Sequence, residues 1–437
     1  MTIAPTSHRL SRNTRYVTWL ISDTGKGLAA ALFGFAIPLL ALIVTNDPAQ
    51  AGIIAGAGMA ARLVTTLAGG VLADRHRRIA LMLLGSLIGV VLSAAFTILA
   101  LGGALTFTVL LVLDVLLATR SGLFDVAGES AIKEIVPDEA MGRAQAANQA
   151  RDAAMQLAGG PLGGLLLGVG GWLVGLVMTG CHLVAAATAW MLGRETRRAG
   201  IHDSEADADA DRGEDAVAAR NAWAEIREAF TWLFSRPDLG GVLVIITIVN
   251  LGFNAAMTTV VYSLQQAGHP EMVIGVLSAA IGAVMLVGAI IAPLLVPRVG
   301  AGTLTIIGLI GIAAGAGAVS MVTDPWAIAV VLGAAVLLLP ALNASMMGYF
   351  MVATPTQLLG RANSAAGILG MGALPLAPLI AGFGLAWLGR EGTILVSAEL
   401  CLIAAALAVG NRALRALPVE SRWAEHASQY ETTGRDT

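Results

Sequence analysis

The chain has 437 residues, of which 57% are hydrophobic and 13% are charged, and its formal net charge is -3. Soluble domains carry about 25% charged residues, so a soluble fold of this length could not bury so much apolar surface. The composition argues equally against a disordered chain and against a basic nucleic-acid binder, and it indicates an all-α protein that crosses a membrane several times.

Apolar runs long enough to cross a bilayer recur along the whole chain. A helix needs about 20 apolar residues to cross about 30 Å of hydrocarbon. We count twelve such runs, preceded by a polar tail over 1–16 that does not look like a cleavable signal peptide. The predicted spans are 17–43, 51–73, 79–101, 105–126, 144–167, 172–192, 238–263, 273–296, 302–322, 326–349, 362–388 and 394–411.

The distribution of Lys and Arg predicts the orientation of these helices. The segments on the same side as the N-terminus carry 21 of these residues, and the opposite loops carry only Arg390. Because cytoplasmic loops are enriched in Lys and Arg, both termini are expected in the cytoplasm of a cell that holds the protein in its plasma or inner membrane.

The one long interruption, 193–237, divides the spans into six-helix bundles over 17–192 and 238–411, with a second tail over 412–437. Its acidic middle, 202–211, is typical of a disordered linker. Near 220–235, apolar residues share one helical face: Trp223, Ile226, Phe230 and Leu233. This pattern predicts either an amphipathic helix on the inner membrane surface or an extension of the seventh span.

The two bundles repeat a short pattern. Pro137 and the run 142–144 precede the fifth span, and Pro355 and the run 360–362 precede the eleventh span at an offset of 218. Parallel repeats of this kind place a substrate site near the middle of the membrane, and transport proceeds by alternating access.

Charged side chains are costly inside a membrane, so those within the predicted spans are candidates for a functional role. Almost all of them lie in the first bundle. The candidate proton-binding residues are Asp23, Asp114 and Asp152, and their candidate charge partners are Lys26, Arg62, Arg120 and Arg151.

Spacing and depth suggest how these residues pair. Lys26 follows Asp23 by three residues, so the two share a helix face. Arg120 and Asp152 lie at similar depths, roughly 10–12 Å from the predicted cytoplasmic edge at about 1.5 Å per residue. The predicted pairs are Asp23 with Lys26, Arg120 with Asp152, and Arg62 with Asp114 or Asp23.

A buried ion pair can hold helices together without taking part in transport, so a structural role stays open for Arg120 and Arg151. Burial favours the protonated form of a carboxylate, and a nearby Arg favours the ionised form. We therefore hypothesise that protonation of Asp23 or Asp114 frees Arg62 and changes the affinity for substrate.

The second bundle offers polar side chains rather than charges. Asn250, Asn254 and Asn343 lie in otherwise apolar helices. They are candidates for lining a substrate cavity, although hydrogen bonding between helices would explain them equally well.

The loop after the second span carries the sequence Gly70-Val-Leu-Ala-Asp74-Arg75-His-Arg-Arg78, which resembles the signature of the major facilitator superfamily, with Arg77 where that family usually has Gly. The resemblance implies the fold of that family, with twelve helices in two parallel six-helix repeats, and it implies that Asp74 meets the start of the eleventh span.

Arg75 and Arg78 can pair with Asp125 or Glu129 and close the cytoplasmic side in the outward-open state; a simple positive anchor is the alternative.

A second element, Gly160-Pro161-Leu-Gly163-Gly164 in the fifth span, resembles a motif typical of exporters but is one residue short. The segments 135–144 and 222–237 are similar to the macrolide-efflux and enterobactin-exporter branch of the same family.

These observations predict a secondary transporter that exports drug-like or amphipathic small molecules in exchange for protons. An importer or symporter of a small metabolite is the alternative, and an enzyme embedded in the membrane is a weaker one. No cofactor, metal or nucleotide is expected, because Cys181 and Cys401 are isolated and the run 25–27 lacks the other residues of a phosphate loop.

Overall fold

The computed structural model describes residues 13–198, 227–355 and 358–432, and all regular structure within them is helical. The helices of the first half are α1 Thr14–Thr45, α2 Pro48–Arg75, α3 Arg78–Leu101, α4 Phe107–Ile135, α5 Asp138–Val169 and α6 Gly171–Arg198. A short helix, α7, covers 227–235. The helices that follow are α8 Gly240–Gln266, α9 Glu271–Leu295, α10 Ala301–Val319, α11 Pro325–Val336, α12 Leu339–Ala353, α13 Leu359–Gly372, α14 Leu376–Gly410, α15 Arg412–Arg415 and α16 Trp423–Thr432.

The chain forms two compact units. Unit 1 comprises Met1–Asn46, Ile53–Asp211 and His269–Val276. Unit 2 comprises Asp47–Gly52, Arg212–Gly268 and Leu277–Thr437.

In unit 1, α6 is the helix on which the others assemble, since both α1 and α3 pack against it and α4 packs on α1 and α3. Helix α1 begins where the Asn13 side chain accepts a hydrogen bond from the Tyr16 backbone N–H at 3.2 Å, and it ends at Asn46 in the left-handed region. This cap removes one of the unsatisfied N–H groups at the helix start.

Unit 2 repeats this arrangement, with α8 and α10 both packed against α14. A glycine permits close contact between α8 and α14, because Gly252 of α8 lies against the backbone carbonyl of Ser397 and the side chain of Cys401. A side chain at Gly252 would separate the two helices, so the small residue sets how closely they approach.

Within the described residues, ten helices or helix pairs are long and apolar enough to cross a membrane. The last of them, Leu359–Gly410, contains the eleventh and twelfth predicted spans, which meet at Gly389 with φ 70°. The predicted fifth span corresponds to α5, which is not among the ten because its first half is polar. The ten apolar segments correspond to eleven predicted spans, because the last segment contains two of them. Helix α5 corresponds to the remaining span.

Helix α7 is the described part of the segment predicted as helical near 220–235. It ends before Arg236 and turns into α8, so it is not an extension of that helix. Ala229 and Leu233 are fully buried in the core of unit 2, so Leu233 faces protein rather than lipid. Trp223 and Ile226 lie outside the described residues.

The described part of the predicted tail, 412–432, is folded. Leu417 and Trp423 are buried in the core of unit 2. The backbone N–H of Ala301, at the start of α10, donates to the carbonyl oxygen of Pro418 at 3.0 Å. The segment after α15 therefore caps the start of α10.

Candidate functional site

A cavity of about 140 Å³ lies within unit 1, between α1, α2, α4 and α6. Its wall is mostly apolar, and the polar side chains on it come from three of the four helices. Its charged or titratable lining residues are Arg62, Asp114, Arg120 and His182.

Asp114 of α4 is the buried acid of this cavity. The residue is 4% exposed, and its Oδ2 atom is buried without a hydrogen-bond partner. Gly58 of α2 lies directly opposite, and a side chain there would overlap the Asp114 carboxylate. An isolated buried carboxylate is costly in its ionised form, so this position favours a group that gains a proton or a cationic partner.

Arg62 lies one helical turn after Gly58 on α2, is exposed, and also lines the cavity. Among the residues that the structure describes, neither Arg62 nor Asp114 has an ion-pair partner within 4.0 Å. The predicted pairing of Arg62 with Asp114 or Asp23 is therefore wrong for this structure, because the Asp23 carboxylate is occupied by other cations. Arg62 instead leaves its guanidinium available at the cavity.

His182 of α6 supplies a second polar atom without a partner. The residue is 1% exposed, and its Nδ1 atom makes no hydrogen bond. The ring lies against Gly89 of α3, where a side chain would overlap it. The imidazole is therefore held in one place at the wall of the cavity.

Asp23 lies between two cations. Its Oδ1 atom is 3.0 Å from Lys26 Nζ, and its Oδ2 atom is 2.8 Å from Arg151 Nη2. Arg151 also binds Asp152 at 2.7 Å and lies 5.8 Å from the ring of Trp19. The predicted pair of Asp23 and Lys26 is confirmed, and the structure adds Arg151, which ties α1 to α5.

Arg120 does not pair with Asp152 as predicted. Its guanidinium lies 3.6 Å from the Asp125 carboxylate on the same helix and donates to the Gly85 carbonyl of α3 at 3.3 Å. Ser121 also donates to Asp125. The prediction is wrong because Arg120 faces α3, whereas Asp152 is bound by its neighbour Arg151.

The loop with the signature sequence lies at the ends of α2 and α3. Asp74 and Arg75 are exposed on the last turn of α2, and a side chain at Gly70 would meet nothing within 4 Å. Arg78 donates to the Ser130 carbonyl of α4 at 3.5 Å. The loop therefore contacts the expected end of α4, but through a backbone oxygen.

The two acids expected to receive the loop arginines lie on α4. Asp125 is engaged by Arg120 and Ser121, and Glu129 is exposed. A latch that forms in an outward-open state stays a prediction.

The glycines of the fifth-span motif serve close packing in unit 1. Gly163 lies against the ring of Phe35, and Gly164 lies against the backbone of Glu271. The Gly160 carbonyl lies against Gly275, and Pro161 is accommodated inside α5. These contacts give the motif a structural role, while a role in the direction of transport stays untested.

The three asparagines of the second bundle do not belong to this cavity. Asn250 donates to the Gly370 carbonyl of α13 at 3.2 Å, and Asn254 donates to the Asn250 carbonyl at 2.8 Å. Asn343 is exposed. For Asn250, the alternative explanation of a hydrogen bond between helices fits the structure.

Unit 2 contains a buried charged cluster before α8 that the sequence did not point to. Arg236 donates to Asp238 at 2.9 and 2.8 Å, and the Tyr349 hydroxyl donates to the same carboxylate at 2.5 Å. Burial disfavours the charged carboxylate, but the hydrogen bonds from Arg236 and Tyr349 outweigh this and hold the pKa of Asp238 below its ordinary value. The cluster joins the turn after α7 to α12.

Comparison with known proteins identifies the family. The family model described as Major Facilitator Superfamily matches residues 24–378. The chain belongs to the major facilitator superfamily. The expected superfamily and fold are confirmed, and the chain is a secondary transporter of a small molecule rather than an enzyme.

Structural comparison agrees with this assignment of the superfamily. The fold is similar to a solved structure described as "Crystal structure of a bacterial homologue of iron transporter ferroportin in inward-facing state". The TM-score is 0.65 at 15% sequence identity, over 90% of this chain and 97% of that chain. At this identity the likeness shows the fold alone. No curated protein matches the sequence.

In this member of the superfamily, the sequence analysis did not identify two features. His182 is a buried residue that lines the cavity, and its position in an apolar span was the available signal. Asp238 and Tyr349 are 111 residues apart, and nothing in the sequence connects them. Within the described part of the chain, no group of three His, Cys, Asp or Glu side chains could hold a metal ion.

Proposed function

We propose that this transporter exports amphipathic small molecules in exchange for protons, and that Asp114 is the residue that binds the proton. The observation that carries the proposal is a buried carboxylate, facing a largely apolar cavity, without a hydrogen bond to Oδ2. A carboxylate in this setting relieves a large energetic cost by binding a proton.

The surroundings of the three candidate acids favour Asp114. Asp23 has two cations within 3.0 Å, which compensate its charge. The Asp152 side chain is 49% exposed and is bound by Arg151, so solvent and a cation both compensate its charge. Asp114 has neither form of compensation.

The charged network of α1 and α5 would then be structural. Arg151 bridges Asp23 and Asp152, and Lys26 completes the neutralisation of Asp23. Buried ion pairs of this kind are costly to break. In the proposed mechanism they keep α1 and α5 together while the cavity residues change partners.

The residues that line the cavity favour an amphipathic substrate. Phe33, Ile37, Leu117 and Met178 give it an apolar surface, and Asp114 is a polar anchor. Ligand sites commonly combine an apolar lining with a few placed polar groups. The volume of about 140 Å³ is below the roughly 300–1,000 Å³ of sites for drug-sized molecules, so the cavity holds one end of such a substrate.

The direction of transport rests on sequence resemblance. The element Gly160–Gly164 resembles an exporter motif, and the segments 135–144 and 222–237 resemble the macrolide-efflux and enterobactin-exporter branch. The excess of Lys and Arg on one side supports cytoplasmic termini. Together they favour export across a cell membrane, with the loop Gly70–Arg78 acting at the cytoplasmic gate during alternating access.

Import or symport of a small metabolite is the competing function. A screen of cells with and without the gene against many toxic compounds would find an exported substrate as increased resistance. Flux of that compound would then be measured in inverted and right-side-out vesicles with an imposed pH gradient. Uptake into inverted vesicles that are acidic inside supports proton-coupled export, whereas proton-driven uptake into right-side-out vesicles contradicts it.

A further inference from the structure

Two residues that line the cavity from different helices carry a buried polar atom without a hydrogen-bond partner. The atoms are Asp114 Oδ2 on α4 and His182 Nδ1 on α6, and each residue is more than nine-tenths buried. Buried polar atoms are almost always hydrogen-bonded in proteins. The open carboxylate at the cavity indicates a place for a ligand that donates hydrogen bonds.

A positive charge lies beside this carboxylate. Arg62 follows Gly58 by four residues on α2, which places it about 6 Å farther along the helix at about 1.5 Å per residue. Gly58 is the residue that the Asp114 carboxylate touches. The Asp114 carboxylate and the Arg62 guanidinium therefore lie at the cavity about one helical turn apart, measured along α2.

The remaining charged group of the wall is already neutralised. Arg120 also lines the cavity, but it pairs with Asp125 and donates to the Gly85 carbonyl. The charges available to a ligand are therefore one negative and one positive, from Asp114 and Arg62.

We propose that the cavity binds a zwitterionic head group, with an ammonium at Asp114 and a carboxylate at Arg62. The proposal rests on the proposed function in taking this cavity as the substrate site. An ammonium satisfies the open carboxylate of Asp114, and a guanidinium binds a carboxylate through two parallel hydrogen bonds. The chemical class is an α-amino acid, or an amphipathic molecule that carries this group at one end.

Ligands with a single charge fit the cavity less well. A cation alone would lie beside the Arg62 guanidinium and would meet its repulsion. An anion alone would lie beside the Asp114 carboxylate and would leave it without a cation. A neutral apolar molecule would leave the Asp114 carboxylate buried without a partner, which costs free energy. A zwitterion pairs with both charged groups.

The test uses the full-length protein in detergent and three probes with the same apolar body. L-leucine carries both charges, 3-methylbutylamine carries only the ammonium, and N-acetylleucine carries only the carboxylate. Each is titrated at mildly alkaline pH, at which both amines keep their proton and an ionised Asp114 is favoured, and binding is followed by calorimetry and by the increase in unfolding temperature.

We expect saturable binding of leucine and binding at least about tenfold weaker for both derivatives, since each loses a charge-assisted contact. Asp114→Asn and Arg62→Gln should each weaken leucine binding by a similar factor. Glu399→Gln, which removes an exposed acid of α14 far along the chain, is the matched control and should bind leucine as the wild type does.

Three results would overturn the proposal: no binding of leucine, equal binding of either derivative, or equal weakening by Glu399→Gln. The unfolding temperature of each unliganded variant shows whether it is folded, and His182→Gln offers a milder change at the same site. Binding is measured without a pH gradient, so its failure would leave proton-coupled export intact. Loss of proton coupling alone would likewise leave the binding site intact.

Discussion

Gly58 and Asp114 face each other across α2 and α4 so closely that no side chain fits between them. A methyl group at position 58 would overlap the carboxylate. The absence of a side chain on α2 is therefore what allows an acid to lie 4% exposed at the cavity wall. This contact connects a glycine in an apolar helix to the residue that we propose binds the proton.

The substitution Gly58→Ala tests this contact. Overpacking of a closely packed site costs about 1–3 kcal/mol, so we expect a lower unfolding temperature and weaker proton-driven transport, because Asp114 has to move. Gly34→Ala is the matched control, since Gly34 lines the same cavity but a methyl group there meets nothing within 4 Å. Wild-type stability and coupling in Gly58→Ala would contradict the account of this contact.

The second prediction separates Asp23 from Asp114. Asp23→Asn leaves Lys26 and Arg151 without their shared carboxylate, and removing one partner of a buried pair costs about 3–5 kcal/mol. We expect a large fall in the unfolding temperature in detergent. Asp152→Asn should change it little, because that side chain is half exposed and such pairs contribute little. Equal stability of the two variants would rule out the structural role of Asp23.

The third prediction concerns acid pH. The pKa of Asp238 is held below its ordinary value of about 3.9, so the unfolded chain binds the proton more readily than the folded chain. Stability from this residue is present above about pH 3.9 and is lost as the pH falls through the lower folded pKa. As the pH falls from about 3.9 to the folded pKa, the unfolding temperature of Asp238→Asn should decrease less than that of the wild type. An equal decrease in the two proteins would contradict the prediction.

The fourth prediction concerns the C-terminal segment. Trp423 is buried in unit 2, and its ring lies against Gly348 of α12. Trp423→Ala should lower the free energy of unfolding by about 3–5 kcal/mol, as expected for a buried Trp. Trp326→Ala removes a side chain that is 54% exposed and should have a clearly smaller effect. Similar losses in the two variants would show that 412–432 does not stabilise unit 2.

The helices could be predicted from the sequence because apolar runs of the required length are a strong signal. The break between the last two spans was also predictable, because Gly389, which adopts a conformation that favours glycine, lies between the predicted spans 362–388 and 394–411. The packing of α7 was not predictable, because an apolar face that meets protein looks the same in sequence as one that meets lipid.

The candidate site was only partly predictable. The pair of Asp23 and Lys26 followed from helix spacing within one segment. The contacts of Arg151 with Asp23 and of Arg120 with Gly85 depend on how separate helices turn toward each other, which one sequence does not specify. The open acceptor on His182 depends on the absence of neighbours, and only the folded structure shows this.

Proton-driven transport by Asp114→Asn tests the central claim most directly. The protein is reconstituted in vesicles, and a substrate found by the resistance screen is followed both under a pH gradient and in exchange without a gradient. We predict that Asp114→Asn loses the gradient-driven flux but keeps the exchange when the substrate concentration is raised to offset weaker binding, while Glu399→Gln keeps both. Gradient-driven flux at the wild-type rate in Asp114→Asn would contradict the claim that this carboxylate couples transport to protons.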